Sequence, residues 1–528
     1  MKCVQSLTRV NHSTKRQSMT YLKLTSSERL NIQSLGELKR AGYESRSIKQ
    51  ELRDNLIERI KNKENIFPGI WGYEETVIPD VERAILSMHN INFLGLRGQA
   101  KTRIARMMVN LLDEYIPYVK GSELHDDPLL PLSRFAKDIL EEHGDSTKID
   151  WLHRDERYTE KLATPDVSVA DLIGDVDPIK AATLKLPYSD ERVIHYGLIP
   201  RSHRGIFVIN ELPDLQARIQ VALFNILQEG DIQIRGFKLR LPLDIQFVFT
   251  ANPEDYTNRG SIVTPLKDRI ESQIVTHYPK TLEVGKKITA QEAIVKKEQK
   301  DAIIVNELVK TLIEQIAFEA RESEYVDSKS GVSARLTISA YESLLSTAER
   351  RSLINVEETT YVRISDLYGV VSSICGKVEL VYEGEVEGPV IVAQNLIGKA
   401  LRTQFLNFFP DPEKSKKSKI NPYAKVIEWF GGGNEMEMPG DMTDREYAAR
   451  LKTIDGLDDF VDILSAYSSE KEKLFMMEFA LHGMAEFSLI GKQSLDQGMK
   501  FQDLVSSMFS GPGDEDYDFD DDDDSKPF

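Results

Sequence analysis

The sequence predicts an α/β core, a parallel sheet flanked by helices, followed by α-helical segments. Three short apolar runs, at residues 91–94, 205–209 and 245–250, have the length and composition of buried strands. Patterns typical of helices fill residues 102–115 and 215–229 between them. Strands that alternate with helices in this way indicate a parallel sheet covered by helices.

The elements outside this core are mostly helical. Ahead of it, apolar residues at helical spacing predict a helix through Leu52, Leu56 and Ile60. Alternating residues around Gly236 indicate an inserted β-hairpin. After Pro279 the spacing becomes helical again, and the clearest segments are 305–318, 337–351, 395–408, 444–451 and 470–487. The last eighteen residues are acidic and of low complexity, so we expect disorder there.

Composition excludes several classes of protein. The 528 residues are 41% hydrophobic and 29% charged, which fits three or four globular units of roughly 100–200 residues each. No apolar run approaches the roughly 20 residues of a membrane span. Half of the net charge of −18 comes from nine acidic residues between Asp514 and Asp524. A body of this sign has no overall attraction for nucleic acid or anionic membranes.

The cysteine content and the N-terminal segment give information about the cellular compartment of the protein. The two cysteines, Cys3 and Cys375, cannot form a disulfide framework and suit a reducing environment, so we expect a cytoplasmic protein. The first eighteen residues carry four basic and no acidic side chains. They fit either an organellar transit peptide or an unstructured extension ahead of Met19.

The most informative segment is an eight-residue loop between a predicted strand and a predicted helix. Backbone N–H groups of such a loop can wrap phosphates, Lys101 can neutralise β/γ oxygens, and the Thr102 hydroxyl can bind Mg²⁺. Ala100 stands where the usual pattern has glycine, which restricts the backbone. By itself the loop also fits an ordinary strand-to-helix turn. The predicted nucleotide-binding residues are Gly95, Leu96, Arg97, Gly98, Gln99, Ala100, Lys101 and Thr102.

A second polar pair follows the strand at 205–209. Glu211 can act as general base toward a water molecule that attacks phosphate. Asn210 replaces the usual aspartate, and its carbonyl oxygen can contact Mg²⁺ through water, so we expect weaker metal binding with similar geometry. Alone, an Asn-Glu pair is more typical of a cap or a strand end.

Three further residues are candidates for a site that hydrolyses a nucleotide. Asn252 follows the strand at 245–250, where its amide can orient the attacking water. Arg269 lies on a charged turn, from which it can reach the nucleotide of a neighbouring subunit, although a surface ion pair is the simpler interpretation. Arg335 opens a helix beyond the core and can contact the γ-phosphate from there.

In this order, the motifs resemble those of an AAA+ ATPase. Within that superfamily they are most similar to the magnesium chelatase ATPase subunit and the MoxR-like group. The subgroup likeness rests on IWGYEE at 70–75, ADLIGDVD at 170–177, HYGLIPRSHRGIFVINEL at 195–212 and LFNILQEGDIQIRG at 223–236. The resemblance covers about residues 66–375. It implies an AAA+ core at 66–280 and a helical lid at 281–380. Outside the resemblance, spacing and composition predict an N-terminal extension with a helix (1–65), a helical C-terminal region (381–510) and the acidic tail (511–528).

The resemblance also implies functional roles. Lys101 and Thr102 correspond to the loop pair and Glu211 to the catalytic carboxylate. Asn252 corresponds to the sensing amide, Arg269 to the trans-acting arginine finger and Arg335 to the second sensor. The cofactors would be ATP and Mg²⁺.

The implied function is ATP binding and hydrolysis in a homo-oligomeric, hexamer-type ring, coupled to remodelling of a protein client or to metal insertion in one. An alternative is a nucleotide-gated, MoxR-like scaffold or chaperone with weak hydrolysis, which Ala100 and Asn210 would explain. A DNA-binding regulator is disfavoured because the sequence shows no helix-turn-helix signature and no concentrated basic helix outside the short KSKKSK run.

Overall fold

A computed structural model describes residues 26–187, 190–234, 240–253, 261–415, 421–464, 467, 469–495 and 498–505. The predictions for the first eighteen residues, for the turn at Gly236 and for the acidic tail lie outside this range. By its internal contacts the chain divides into two units. The first contains the described residues up to Gly95 together with Ala100–Thr276, and the second contains Leu96–Gln99 and the described residues from His277 onward.

The strands are short, and most belong to the first unit. In chain order they are β1 (Ile91–Leu94), β2 (Tyr115–Val119), β3 (Ile149–His153), β4 (Tyr158–Leu162), β5 (Gly174–Val176), β6 (Ile194–Tyr196), β7 (Gly205–Asn210), β8 (Asp231–Gln233), β9 (Arg240–Pro242), β10 (Ile245–Ala251), β11 (Ser272–Val275), β12 (Ile303–Ile304), β13 (Thr360–Tyr361), β14 (Met436–Pro439), β15 (Gly491–Leu495) and β16 (Gly498–Gln502).

Five of these strands form one parallel sheet in the order β11-β1-β10-β7-β4. The registers pair Leu94 with Ala251, Phe249 with Ile209, and Leu162 with Asn210. The carboxyl ends of β1, β4, β7 and β10 therefore lie at one edge of the sheet. The predicted parallel α/β core is confirmed.

Helices cover both faces of the sheet. Side chains alternate along the strands, so that Ile206 and Val208 enter one apolar core while Phe207 and Ile209 enter the other. The α-helices of the first unit are Ser26–Leu30, Leu35–Arg40, Ile48–Lys61, Val77–Leu86, Lys101–Met107, Arg134–His143, Val169–Leu172, Pro178–Leu184, Leu198–Arg201, Ala217–Glu229 and Thr264–Lys267.

A buried ion pair joins the N-terminal helix Ile48–Lys61 to the start of β4. The Arg157 guanidinium donates to both carboxylate oxygens of Glu51 (2.7 and 2.6 Å) and to the carbonyl of Arg204 (2.9 Å). Glu51 also accepts from the backbone N–H of Asp113 (2.7 Å). Because both charges are paired and buried, loss of one partner would leave an uncompensated charge. The pair fixes the position of the edge strand.

The sequence patterns located the interior strands better than the edge strands. The helix predicted at 102–115 ends earlier, at Met107, and gives way to a 3₁₀ turn and β2. The predicted hairpin is present, because β8 pairs antiparallel with β9.

The edge strands β4 and β11 were not predicted. They mix polar and apolar residues because they are only partly buried.

The second unit is mainly helical around one apolar core. Its α-helices are Leu282–Glu292, Lys297–Ala302, Glu307–Glu322, Arg335–Ile354, Val371–Cys375, Tyr382–Glu387, Pro389–Phe405, Pro412–Ser415, Ala424–Gly431, Asp444–Lys452, Leu457–Leu464 and Glu470–Glu486. It also contains an antiparallel sheet in the order β14-β16-β15, which the sequence did not predict. Among the described residues, no helix is both long and apolar enough to cross a membrane.

Candidate nucleotide site

Three polar segments leave the sheet at the same edge. The loop that starts at Gly95 follows β1, Glu211 follows β7, and Asn252 follows β10. Because these strands are parallel and β10 lies between the other two, their carboxyl ends are adjacent. The Gly95 N–H donates to the Ala251 carbonyl (3.1 Å), which ties the start of the loop to the end of β10. Ligands of open α/β sheets bind at this kind of edge.

The loop turns into the helix Lys101–Met107 through a left-handed residue. Ala100 caps that helix with φ +57°, and Gly98 also has positive φ (+73°). Lys101 is buried, and its ammonium group donates to the Gly95 carbonyl. The first N–H groups of a helix lack intrahelical partners, so this end of the helix can receive an anion.

The conformation of Ala100 leads to a stability prediction. A left-handed residue with a Cβ costs about 1–2 kcal/mol, and the greater freedom of glycine in the unfolded chain offsets about 0.5–1 kcal/mol of any gain. We expect Ala100→Gly to raise the free energy of unfolding by about 0.5–1 kcal/mol in urea titrations. Ala105→Gly, inside the same helix, should lower it. A loss of stability in Ala100→Gly would contradict the assigned backbone conformation.

Asn210 connects the loop to the interior of the sheet. Its Oδ1 accepts from the Thr102 hydroxyl (3.2 Å) and from the Thr250 hydroxyl (3.1 Å). Its Nδ2 donates to Glu160 Oε1 (2.6 Å). The structure therefore brings together Thr102 and Asn210, the two residues that the sequence suggested for the metal side. A hydroxyl and an amide oxygen are hard donors of the kind that Mg²⁺ prefers.

Glu160, on β4, is a member of this cluster that the sequence analysis missed. Arg106 donates to both of its oxygens (2.8 and 3.1 Å), and the Tyr158 hydroxyl donates a third bond (2.9 Å). Burial opposes ionisation of Glu160, but the hydrogen bonds from Arg106 and Tyr158 outweigh it and lower the pKa of the carboxyl group. Glu160 is therefore a charged acceptor at neutral pH.

Glu211 has an unusual backbone conformation. It is left-handed, with φ +54°, and its N–H donates to the Thr250 hydroxyl (3.1 Å). Non-glycine residues in this region are uncommon and cluster at functional sites. Thr250, which the sequence analysis also missed, therefore contacts both Asn210 and Glu211 and links β10 to the end of β7.

Two further predicted residues, Arg269 and Arg335, belong to different units of the chain. Arg269 comes just before β11, and the first residue of β11 pairs with the first residue of β1. Arg269 therefore lies at the end of the sheet where these parallel strands begin, whereas the loop follows the end of β1. Its guanidinium donates to Gln228 Oε1 (2.9 and 2.7 Å). Arg335 is exposed at the start of a helix in the second unit. Leu96–Gln99 group with that unit, where Arg97 forms an ion pair with Glu379 (2.6 Å).

Comparison with known proteins gives one family match and several structural ones. The family of the sigma-54 interaction domain matches residues 187–274, the segment that contains β7 and β10. A protein from Cytophaga hutchinsonii, provisionally named an ATPase, is 19% identical, covering 69% of this chain and 98% of its own, with a TM-score of 0.27. A complex between subunits BchI and BchD of magnesium chelatase matches at 19% identity, 61% and 98% coverage, and a TM-score of 0.31.

NtrX from Brucella abortus in complex with ATP is 12% identical, covers 68% of each chain and has a TM-score of 0.33. The sheet order β11-β1-β10-β7-β4, the loop after β1 and the sigma-54 interaction match over β7 and β10 identify the fold as the α/β fold of the AAA+ ATPases.

Proposed function

We propose that the protein binds ATP with Mg²⁺ and hydrolyses it at the edge of the sheet formed by the ends of β1, β7 and β10. The contact between Thr102 and Asn210 carries this proposal, because it joins the helix that follows the loop to the strand end that presents Glu211. The buried Lys101 and the N-terminus of its helix supply the positive potential that a triphosphate needs.

Each residue has a defined task in this proposal. Lys101 exchanges the Gly95 carbonyl for phosphate oxygens. Thr102 would hold Mg²⁺ directly and Asn210 through water, and the donor set of hydroxyl and amide oxygens fits that ion. When bound, Mg²⁺ would neutralise charge on the β- and γ-phosphate oxygens.

The remaining residues act on the water and on the transition state. The carboxylate of Glu211 accepts a proton from the attacking water, and Asn252 orients that water. Arg269 acts on the nucleotide of a neighbouring subunit, and Arg335 acts from the lid.

The proposed function also implies a division into domains and an assembly of subunits. We assign the nucleotide-binding core to residues 66–280, the lid to 281–380 and a helical C-terminal region to 381–510. We also propose a hexamer-type ring of cytoplasmic subunits that remodels a protein client or inserts a metal into it, as the likeness to magnesium chelatase and MoxR-like ATPases implies. Glu211→Gln, which should hold ATP without hydrolysing it, provides a trap for the client.

A second candidate function is a nucleotide-gated scaffold with little turnover. It is favoured by Asn210, which is neutral where a carboxylate is usual, and by the strained Ala100. An assay of steady-state phosphate release from ATP distinguishes the two functions. It uses the full chain over a range of Mg²⁺ concentrations. Release that depends on Mg²⁺ supports the ATPase. ATP binding without release supports the scaffold, and neither binding nor release would contradict both.

A further inference from the structure

The orientation of the Asn210 amide decides whether this residue can serve a cation. An amide has a donor end and an acceptor end, and only the oxygen can face the metal side of the site. In the structure, Oδ1 faces the hydroxyls of Thr102 and Thr250, and Nδ2 faces Glu160. A role of Asn210 toward a cation rests on the proposed function.

Both hydroxyls could adapt to a flipped amide, because a hydroxyl can donate or accept. The Glu160 carboxylate cannot, because it only accepts when ionised. A flipped amide would place Oδ1 against a carboxylate oxygen that now lies 2.6 Å from Nδ2. Glu160 is in turn fixed by two hydrogen bonds from Arg106. The carboxylate is therefore the one partner that selects between the two orientations.

We propose that Glu160 is a positioning residue for magnesium nucleotide: it holds the Asn210 amide with its oxygen toward Thr102 and the metal side. Arg106 offsets the charge of Glu160, so the contribution of Glu160 is orientation and not added negative charge. The pair also accounts for asparagine at position 210. An aspartate there would put a second carboxylate against Glu160, at the position where the structure has a hydrogen bond.

This proposal reverses the effect expected from charge alone. By charge, Asn210→Asp should strengthen binding of magnesium nucleotide, because a carboxylate attracts the ion more than an amide does. With Glu160 in place, we expect Asn210→Asp to weaken it, because repulsion from Glu160 would turn the new carboxylate away from the position in which the Asn210 oxygen faces Thr102. Adding Glu160→Gln should reverse the loss, because the new amide can donate to Asp at position 210 and restore the bond with opposite polarity.

The test is calorimetric titration of the full chain with ATP, once with Mg²⁺ and once with EDTA. The ratio of the two affinities measures the magnesium-dependent part of binding, which a merely structural role of Glu160 would not change. We expect Glu160→Met to lower this ratio roughly tenfold, the scale of one charge-assisted hydrogen bond. Thr159→Val, on the same strand with its side chain toward the other face, should change the ratio less than about twofold.

The double variant Glu160→Gln with Asn210→Asp should bind magnesium nucleotide more tightly than Asn210→Asp alone. It provides a test even if Glu160→Met does not fold. An unchanged ratio in a folded Glu160→Met, or a higher ratio in Asn210→Asp than in the wild type, would overturn the positioning role while leaving the nucleotide site intact. Failure of the wild type to bind ATP under either condition would instead overturn the proposed function, and this inference with it.

Discussion

Arg269→Ala is expected to bind ATP normally and to lose turnover by roughly 10³-fold, the scale of an arginine finger in phosphoryl transfer. Within its own chain, Arg269 lies at the opposite edge of the sheet from the loop and is held by Gln228. It therefore cannot assist the nucleotide of its own subunit unless the sheet rearranges. The measurement is steady-state phosphate release, with ATP affinity determined in parallel. Arg134→Ala, which removes a surface ion pair with Asp138, is the matched control and should have almost no effect.

Mixing variants tests whether the site is shared between subunits. In mixed rings of Arg269→Ala and Lys101→Ala, some interfaces pair an intact loop with an intact arginine, so activity should exceed that of either variant alone. No recovery on mixing, together with a wild-type specific activity independent of protein concentration, would place catalysis within one chain.

Glu211→Gln should lower turnover by about 10²–10⁴-fold, the usual contribution of a positioned general base, with little change in ATP affinity. Glutamine has nearly the same shape, so the left-handed backbone and the bond to Thr250 should persist. Single-turnover hydrolysis of prebound ATP isolates the chemical step from assembly and product release. Glu229→Gln, an exposed carboxylate at the end of a neighbouring helix, is the control. Turnover near that of the wild type would show that another group activates the water.

The interior of the fold could be predicted from the sequence, but its edges could not. The strands β1, β7 and β10 are buried on both faces and consist of apolar runs, which is the pattern that a parallel sheet requires. The edge strand β4 reads Tyr-Thr-Glu-Lys-Leu and is only partly buried, so its pattern does not differ from that of a loop. The small sheet of β14, β15 and β16 also escaped prediction, because its strands are only four or five residues long and β14 has just two buried side chains, Met436 and Met438.

The site, too, was only partly predictable from the sequence. The loop and the polar residues at the ends of β7 and β10 stand out because they come directly after apolar strands. Glu160 does not, because it is one charged residue in a mixed segment and its role depends on pairing β4 with β7. The left-handed backbones of Ala100 and Glu211 could not be predicted either, since neither residue favours that conformation.

Binding of ATP at Lys101 is the central claim, and isothermal titration of ATP in the presence of Mg²⁺ tests it most directly. Lys101→Ala removes a buried ammonium group whose contacts with phosphate should be worth about 1.5–3 kcal/mol. We therefore expect affinity to fall at least about tenfold. Lys120→Ala, which removes an exposed lysine of the same unit, should leave affinity unchanged. An ATP affinity in Lys101→Ala equal to that of the wild type would contradict the nucleotide site.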